Sequence, residues 1–453
     1  MLIKPLLTLS LTGLCGAQLS AQRPANFFPA KLDNGLEVLV VEDHSVPLVT
    51  VEITTRNGSY TEPAEFNGLS HLYEHMFFKA NKDYPSQEQY MARVRELGIS
   101  FNGTTSEERV NYFFTLPRTN LDQGLSFMNS AIRYPLFLAE EMKKENVVVD
   151  GEFQRNESNP YFPLLDAMNH SLWGELYSRK NVIGDHNIIN TATPEKMNTI
   201  KNKYYWPNNS MLIISGDVSH TEVLEKVKNL YSDWKPSGFD PFEKWPVPEF
   251  KPLSKTDYFI TESPIASVPF MMFCWLGPDT RSGRYDTHVA DVFSYILSQN
   301  SSQLQKNLVD KGLALQASLG YETLKHTGPI TLQVVPVADK LAECLAEVKK
   351  QVSLWDTDGY ITDEQLETAK RKLEIQTLQG YDIASSLPHS IAYWWCSADL
   401  DYMYDYIPNL KKVTRNDIKN YVKKYIKDKH YSAGLLINAA EKGKLNPSSF
   451  WKS

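Results

Sequence analysis

Two histidines four residues apart, with a glutamate just before the second, stand in the segment GLSHLYEHMFF at 68–78. Four residues along a helix amount to about 40° of rotation, so His71 and His75 can aim their imidazoles at one tetrahedral ion. Glu74 falls on the other flank of the same face. From there it can reach a water held by such an ion without becoming a ligand. Zinc lowers the pKa of its water to about 7, and a nearby carboxylate can take the proton as that water attacks a peptide carbonyl. The H-x-x-E-H order is that of the inverzincin motif. Leu69, Leu72, Met76 and Phe77 make the helix substantially apolar, so polar groups on it need partners. Two surface histidines beside an exposed glutamate fit these neighbours less well.

A catalytic zinc takes three protein groups. The segment KKENVVVDGEFQRNE supplies two candidates, Glu145 and Glu152. They are seven apart, nearly two helical turns, and project to one face. The intervening run of valines points to a buried helix, where two carboxylates are costly unless they meet a cation. A solvated acidic stripe is the alternative, because Glu140, Glu141 and Glu157 lie close by.

Patterning gives the elements that must position these groups. LEVLVVED (36–43) and LVTVEITTR (48–56) are rich in β-branched residues and read as a strand hairpin turned by His-Ser-Val-Pro. Helices are expected at 67–80 and 86–97, the second ending at Gly98. Strands follow within 99–117, helices at 119–133 and 139–157, a strand at 210–218 and a helix at 221–234. Prolines 236, 241, 246, 248 and 252 then mark a linker without regular structure over 236–252. Beyond it the pattern repeats weakly: a strand at 268–277, then helices at 285–298 and 301–311, the latter stopping at Gly312. LQKNLVDKGLALQAS holds the place that YMARVRELGISFNGT holds in the first half. The expected class is α+β, with two homologous domains at 22–235 and 253–453 and no metal motif in the second.

His71-Leu-Tyr-Glu-His75 and the Glu145-x(6)-Glu152 pair, at their separation, resemble the pitrilysin-type (M16, inverzincin) zinc metallopeptidases. That family includes insulin-degrading enzyme and the mitochondrial processing peptidases. The resemblance implies one zinc ion per chain on His71, His75 and Glu152, with Glu74 as the base. Glu145 would orient a ligand or its helix from behind. It also implies an endopeptidase that takes peptides or unfolded polypeptides as an added strand within a closed chamber. The matching stretch is Phe101-Asn102-Gly103-Thr104-Thr105, where Gly103 would let a peptide come close. Read without the resemblance, Asn102-Gly103 is a simple turn.

Family members work as a clamshell of four related domains, so this chain would be half of one. They place an Arg and a Tyr, seven residues apart, in the C-terminal half or on a partner to hold the oxyanion. Here Val309 and Leu315 stand near those positions, and Tyr321 is nearby but out of pattern. The expected assembly is therefore a heterodimer in which a paralogous, non-catalytic subunit supplies the Arg and Tyr. A non-catalytic scaffold of the same fold would have no need of Glu74. A binding protein with a structural metal would not need an uncoordinated glutamate beside the two histidines.

The bulk properties agree with a globular secreted enzyme. The 453 residues exceed one ordinary core. The net charge of -7 is spread along the chain with no basic block, which argues against nucleic acid. Lys4, the apolar PLLTLSLTGL and a small-residue exit at Ala21 describe a signal peptide over 1–21. That run is too short to span a bilayer and no later one is longer, so no transmembrane segment is expected. The mature chain would be periplasmic or secreted. Leu14 is bulky where a lipoprotein signal has a small residue, which argues against an anchor at Cys15. Cys274, Cys344 and Cys396 would remain, an odd number without paired spacing, and read as buried, inert thiols.

Overall fold

The computed structural model describes residues 23–382, 386–439, 445 and 447–452, and the expected signal peptide at 1–21 lies outside them. Two sheets organise these residues. The first runs in the order β1 (Phe27–Lys31), β2 (Glu37–Glu42), β6 (Ser210–Gly216), β3 (Leu48–Thr55), β5 (Val110–Pro117), β4 (Ser100–Thr105). The second runs β7 (Asp257–Glu262), β11 (Ser432–Ile437), β8 (Phe270–Leu276), β10 (Pro329–Pro336), β9 (Ala314–Tyr321). In each sheet one pair is parallel, β2 with β6 and β7 with β11, and the other pairs are antiparallel. Apart from β1 the two orders coincide, so the fold is a duplicated α+β unit. Gly98 and Gly312, with φ of 62° and 64°, end the helical turns before β4 and β9. Glycine enters that region at little cost, which is why the two segments align.

Three expectations need correction. The hairpin of 36–43 with 48–56 does not form, because β6 lies between β2 and β3. SMLIISG is buried along its whole length, which suits a strand with a neighbour on each side. The proline-rich linker contains one short helix, Pro241–Lys244, with Asp240 accepting the N–H groups of Phe242 and Glu243. Proline at a first helical position loses no hydrogen bond. The helix expected at 301–311 is a short turn, Gln303–Gln305, followed by a π-helical turn, Lys306–Asp310.

Helices α1 (Leu69–Phe77), α2 (Gln87–Glu96), α3 (Leu121–Arg133), α4 (Ala139–Glu157), α5 (Phe162–Trp173), α6 (His186–Asn190), α7 (Pro194–Tyr204) and α8 (His220–Tyr231) belong to the first half. All of these except α5 send residues into the core on one face of the first sheet. After the linker helix α9 (Pro241–Lys244) come α10 (Arg284–Ser298), α11 (Gln303–Gln305), α12 (Leu341–Leu354), α13 (Asp363–Asp382), α14 (Leu387–Ser397), α15 (Leu400–Lys412) and α16 (Arg415–Tyr425). Each half lends one helix to the other's sheet. α5 lays Leu164, Met168 and Leu172 on Met272, Cys274 and Leu436 of the second sheet. α14 lays Leu387, Ile391 and Trp395 on Leu39, Val41, Met211 and Ile213 of the first. Cys274, Cys344 and Cys396 are free and buried. No described helix is long and apolar enough to cross a membrane.

Because each sheet is completed by a helix from the other half, the chain should unfold in one cooperative step. Ile391 is 0% exposed, and Ile391→Ala is expected to cost about 2–5 kcal/mol. Calorimetry should show a single transition moved to lower temperature. Two separate transitions, only one of them displaced, would show that the halves fold independently.

Candidate active site

α1 starts without a side-chain cap from its own first residue. Gly68 precedes it at φ 90°, packed so closely on Gly184 that a Cβ would lie 2.4 Å from the Gly184 Cα. Glu62 takes the orphan donors instead: Gly68 N–H donates to Oε2 at 2.7 Å and Ser70 N–H to Oε1 at 2.5 Å. A carboxylate at a helix N-terminus also suits the helix dipole. Burial pushes the Glu62 carboxyl up to about 8, against the pull of the Ser70 and Gly68 donors and of Arg179. The sequence reading did not single out Glu62. Its only signal was an acidic residue ahead of an apolar helix.

The apolar residues of α1 fix its rotation. Tyr73 stacks on Tyr205 with ring centroids 4.2 Å apart, and Phe77 stacks on Tyr112 at 3.7 Å. His71, Glu74 and His75 therefore turn toward an opening between β4 and α4. The Nε2 atoms of His71 and His75 are 3.3 Å apart, and each lies 3.6 Å from Glu152 Oε2. Three nitrogen and oxygen ligands on a tetrahedral zinc stand about 3.3–3.6 Å from one another, so this triangle fits zinc in both donor type and spacing. Among the described residues it is the one cluster able to hold a metal.

Groups behind the triangle hold it in shape. His75 Nδ1 meets Glu145 Oε1 at 2.8 Å, and Glu145 Oε2 is 2.5 Å from Lys79 Nζ. With Nδ1 occupied, His75 keeps Nε2 for the triangle. Burial would raise the Glu145 carboxyl, but the bonds from His75 and Lys79 outweigh it and hold it low. Burial likewise works to lower His75, and here the Glu145 bond with the charges of Glu74 and Glu152 wins and raises it. Burial, then His75, pushes His71 down to about 4, which leaves a neutral ring with a free lone pair. Glu74 is raised by burial, opposed by the bond it accepts from Thr105. Thr105 Oγ1 donates to Glu74 Oε2 at 2.8 Å.

β4 runs along the same opening as the outermost strand of its sheet. Asn102 and Gly103 are strand residues paired with Phe113 and Tyr112, so the turn reading of this dipeptide fails. The Asn102 side chain accepts the Gly103 N–H at 3.0 Å. A Cβ on Gly103 would lie 2.8 Å from Glu74 Cγ and 2.9 Å from its Oε1. The absent side chain thus first makes room for the Glu74 carboxylate. The cleft has a volume of about 760 Å³ and brings His71, Glu74, His75, Glu145 and Glu152 together with residues 101–105. All its lining residues come from the first half. Val309 packs against the second core, Leu315 is 61% exposed on β9, and the Tyr321 hydroxyl donates to the Pro278 carbonyl at 3.0 Å. None of these three lines the cleft.

Residues 37–182 match the family described as insulinase (peptidase family M16), and residues 191–373 match the peptidase M16 inactive domain. An uncharacterized zinc protease of Rickettsia felis is 26% identical over 364 residues, 79% of this chain and 84% of that one. An insulin-degrading enzyme homolog of Dictyostelium discoideum is 27% identical over 313 residues, which cover 67% of this chain but 32% of that longer protein. The first half of the periplasmic protease PqqL from Escherichia coli superposes with a TM-score of 0.77 at 18% identity, covering 95% of this chain and 97% of that one. With M16 matches across both halves and the metal triangle in the first, the chain belongs to the M16 zinc-peptidase family.

Proposed function

We propose that this chain is a zinc-dependent endopeptidase that hydrolyses peptides or unfolded polypeptides laid as an added strand against β4. The observation that carries this reading is the triangle of His71, His75 and Glu152, with Glu74 held beside it by Thr105 at an open sheet edge. In the proposal the first domain covers 22–235, the linker 236–252 and the metal-free second domain 253–453. The signal peptide at 1–21 would deliver the chain to the periplasm or exterior.

An edge strand offers unpaired N–H and C=O groups to an extended peptide, so recognition falls largely on backbone and tolerates many sequences. Asn102, Gly103 and Thr104 would present that edge. His71, His75 and Glu152 would hold one zinc ion, which when bound supplies Lewis acidity toward a peptide carbonyl and makes water more acidic. Glu74 accepts and returns the proton, and Thr105 aims its carboxylate. Glu145 and Lys79 keep His75 in the ligating tautomer.

Glu74→Gln should retain zinc while turnover of an unstructured peptide falls by about a hundredfold or more. Near-normal turnover with full zinc would remove Glu74 from the role of base.

His71→Ala, His75→Ala and Glu152→Ala should each lose zinc and activity together, since two ligands hold the ion poorly. Glu145→Gln should weaken zinc binding by only about 10–100-fold. Zinc titration decides. Normal binding by Glu152→Ala with loss in Glu145→Ala would reverse the two roles.

Among the described residues the cleft is lined by none from the second half, and Val309 and Leu315 carry no donor side chain. We therefore take the active form to be a heterodimer with a paralogous subunit that lacks the zinc motif and carries an Arg and a Tyr. Loss of one oxyanion donor typically costs about 10²–10³ in rate. The chain alone should bind zinc and cleave poorly, and adding the partner should restore turnover without further metal. Full activity of the chain alone, with its mass in solution measured, would refute the heterodimer.

A further inference from the structure

Glu52 lies on β3, in the middle of the first sheet, and is 0% exposed. Its strand neighbours Val51 and Ile53 enter the main core, so Glu52 points to the opposite face, the one covered by α14. A carboxylate without water is costly unless its lone pairs are met. Asn111 Nδ2 donates to Glu52 Oε1 at 2.7 Å, and His389 Nδ1 of α14 stands 2.5 Å from Glu52 Oε2, off the line of a hydrogen bond. Asn111 Oδ1 accepts from Thr104 Oγ1 on β4. Arg109 closes the circuit, donating to Thr104 Oγ1 at 3.1 Å and to the His389 carbonyl at 2.9 Å. The five residues form a ring across β4, β5, β3 and a helix from the second half.

The ring ends one residue from the threonine that holds the Glu74 carboxylate. Thr104 is gripped on the outer face, and Thr105, pointing the other way, holds Glu74. The turn between β4 and β5 is gripped as well. Glu108, 1% exposed, accepts the Lys325 N–H at 2.7 Å and the His326 N–H at 2.8 Å. An edge strand has a partner on one side only, so its far side needs other supports.

We propose that Glu52, Asn111 and His389 are positioning residues for the substrate edge. Acting through Thr104, they set β4 against Glu74, so the metal-free second half keeps part of the active site in shape. This rests on the reading of β4 as the substrate strand.

The experiment compares His389→Leu, His389→Gln and Glu52→Gln with Ile391→Ala, which loosens α14 without touching the ring. Three quantities are read on the zinc-loaded chain: amide hydrogen exchange over residues 100–105, zinc affinity, and KM and kcat for an unstructured peptide with whatever partner full activity needs. His389→Leu and Glu52→Gln should speed exchange in β4 and raise KM by about three- to tenfold, the scale of one buried polar group left without its partner. Zinc affinity should stay the same. His389→Gln, which keeps a donor toward Glu52, should recover most of the loss. The proposal is overturned if β4 exchange and KM in His389→Leu match Ile391→Ala, or if zinc affinity falls in step with KM. If no variant and no wild-type preparation cleaves peptide, the enzymatic reading fails, while the exchange data still decide whether the ring holds β4.

Discussion

A buried helix that carries ionisable groups is the constraint on which this structure turns. Leu69, Leu72, Tyr73, Met76 and Phe77 of α1 are all 0% exposed, so the helix cannot rotate its histidines into water without emptying a core. Most polar groups on it then have a fixed partner, the His71 Nδ1 and the Tyr73 hydroxyl being left without one. Glu62 takes the first amides, Glu145 takes His75 Nδ1, and Thr105 takes Glu74. What remains is a set of lone pairs facing one another, two imidazole nitrogens and one carboxylate oxygen. One zinc ion would satisfy all three at once. The metal site follows from the packing of α1 as much as from the identity of its ligands.

The sequence was most legible where geometry is local. Helical periodicity alone puts His71 beside His75 and Glu145 on the face of Glu152, and α4 occupies 139–157 as expected. Pairing across long sequence distances was not legible. β2 and β3 look like a hairpin because they are neighbours in the chain, yet β6, from near residue 210, separates them. Asn102-Gly103 carries a turn signature, but four further ladder pairs hold the segment as strand. Glu62, Glu52 and His389 carry no motif. Their roles depend on what the fold brings against them.

The two sheets share one order, yet their edges have diverged. β4 is preceded by α2, a regular helix of 10 residues, and β9 by a π-helical turn. β4 carries glycine where Glu74 approaches and threonine where it is held. β9 exposes Leu315 instead, and no described metal cluster stands beside it. Among the described residues the metal triangle stands on one copy only, and nothing in the shared sheet order requires it on both.

Exchange of helices explains why the metal-free copy cannot simply be dispensable. α14 covers the outer face of the first sheet, and α5 covers that of the second. A polar residue on a covered face, such as Glu52, becomes tolerable only when polar groups are brought against it, Asn111 from its own sheet and His389 from the covering helix. The first sheet can therefore carry buried polar groups near β4 because the second half supplies His389 and the loop that meets Glu108. The open edge that a peptide would join is stiffened from behind by residues more than 200 positions away in the chain, while its front remains free for pairing. Rigidity and accessibility at one strand are usually in conflict. Here they are separated by face, with α1 and the metal triangle on one side of the sheet and the second half's helix on the other.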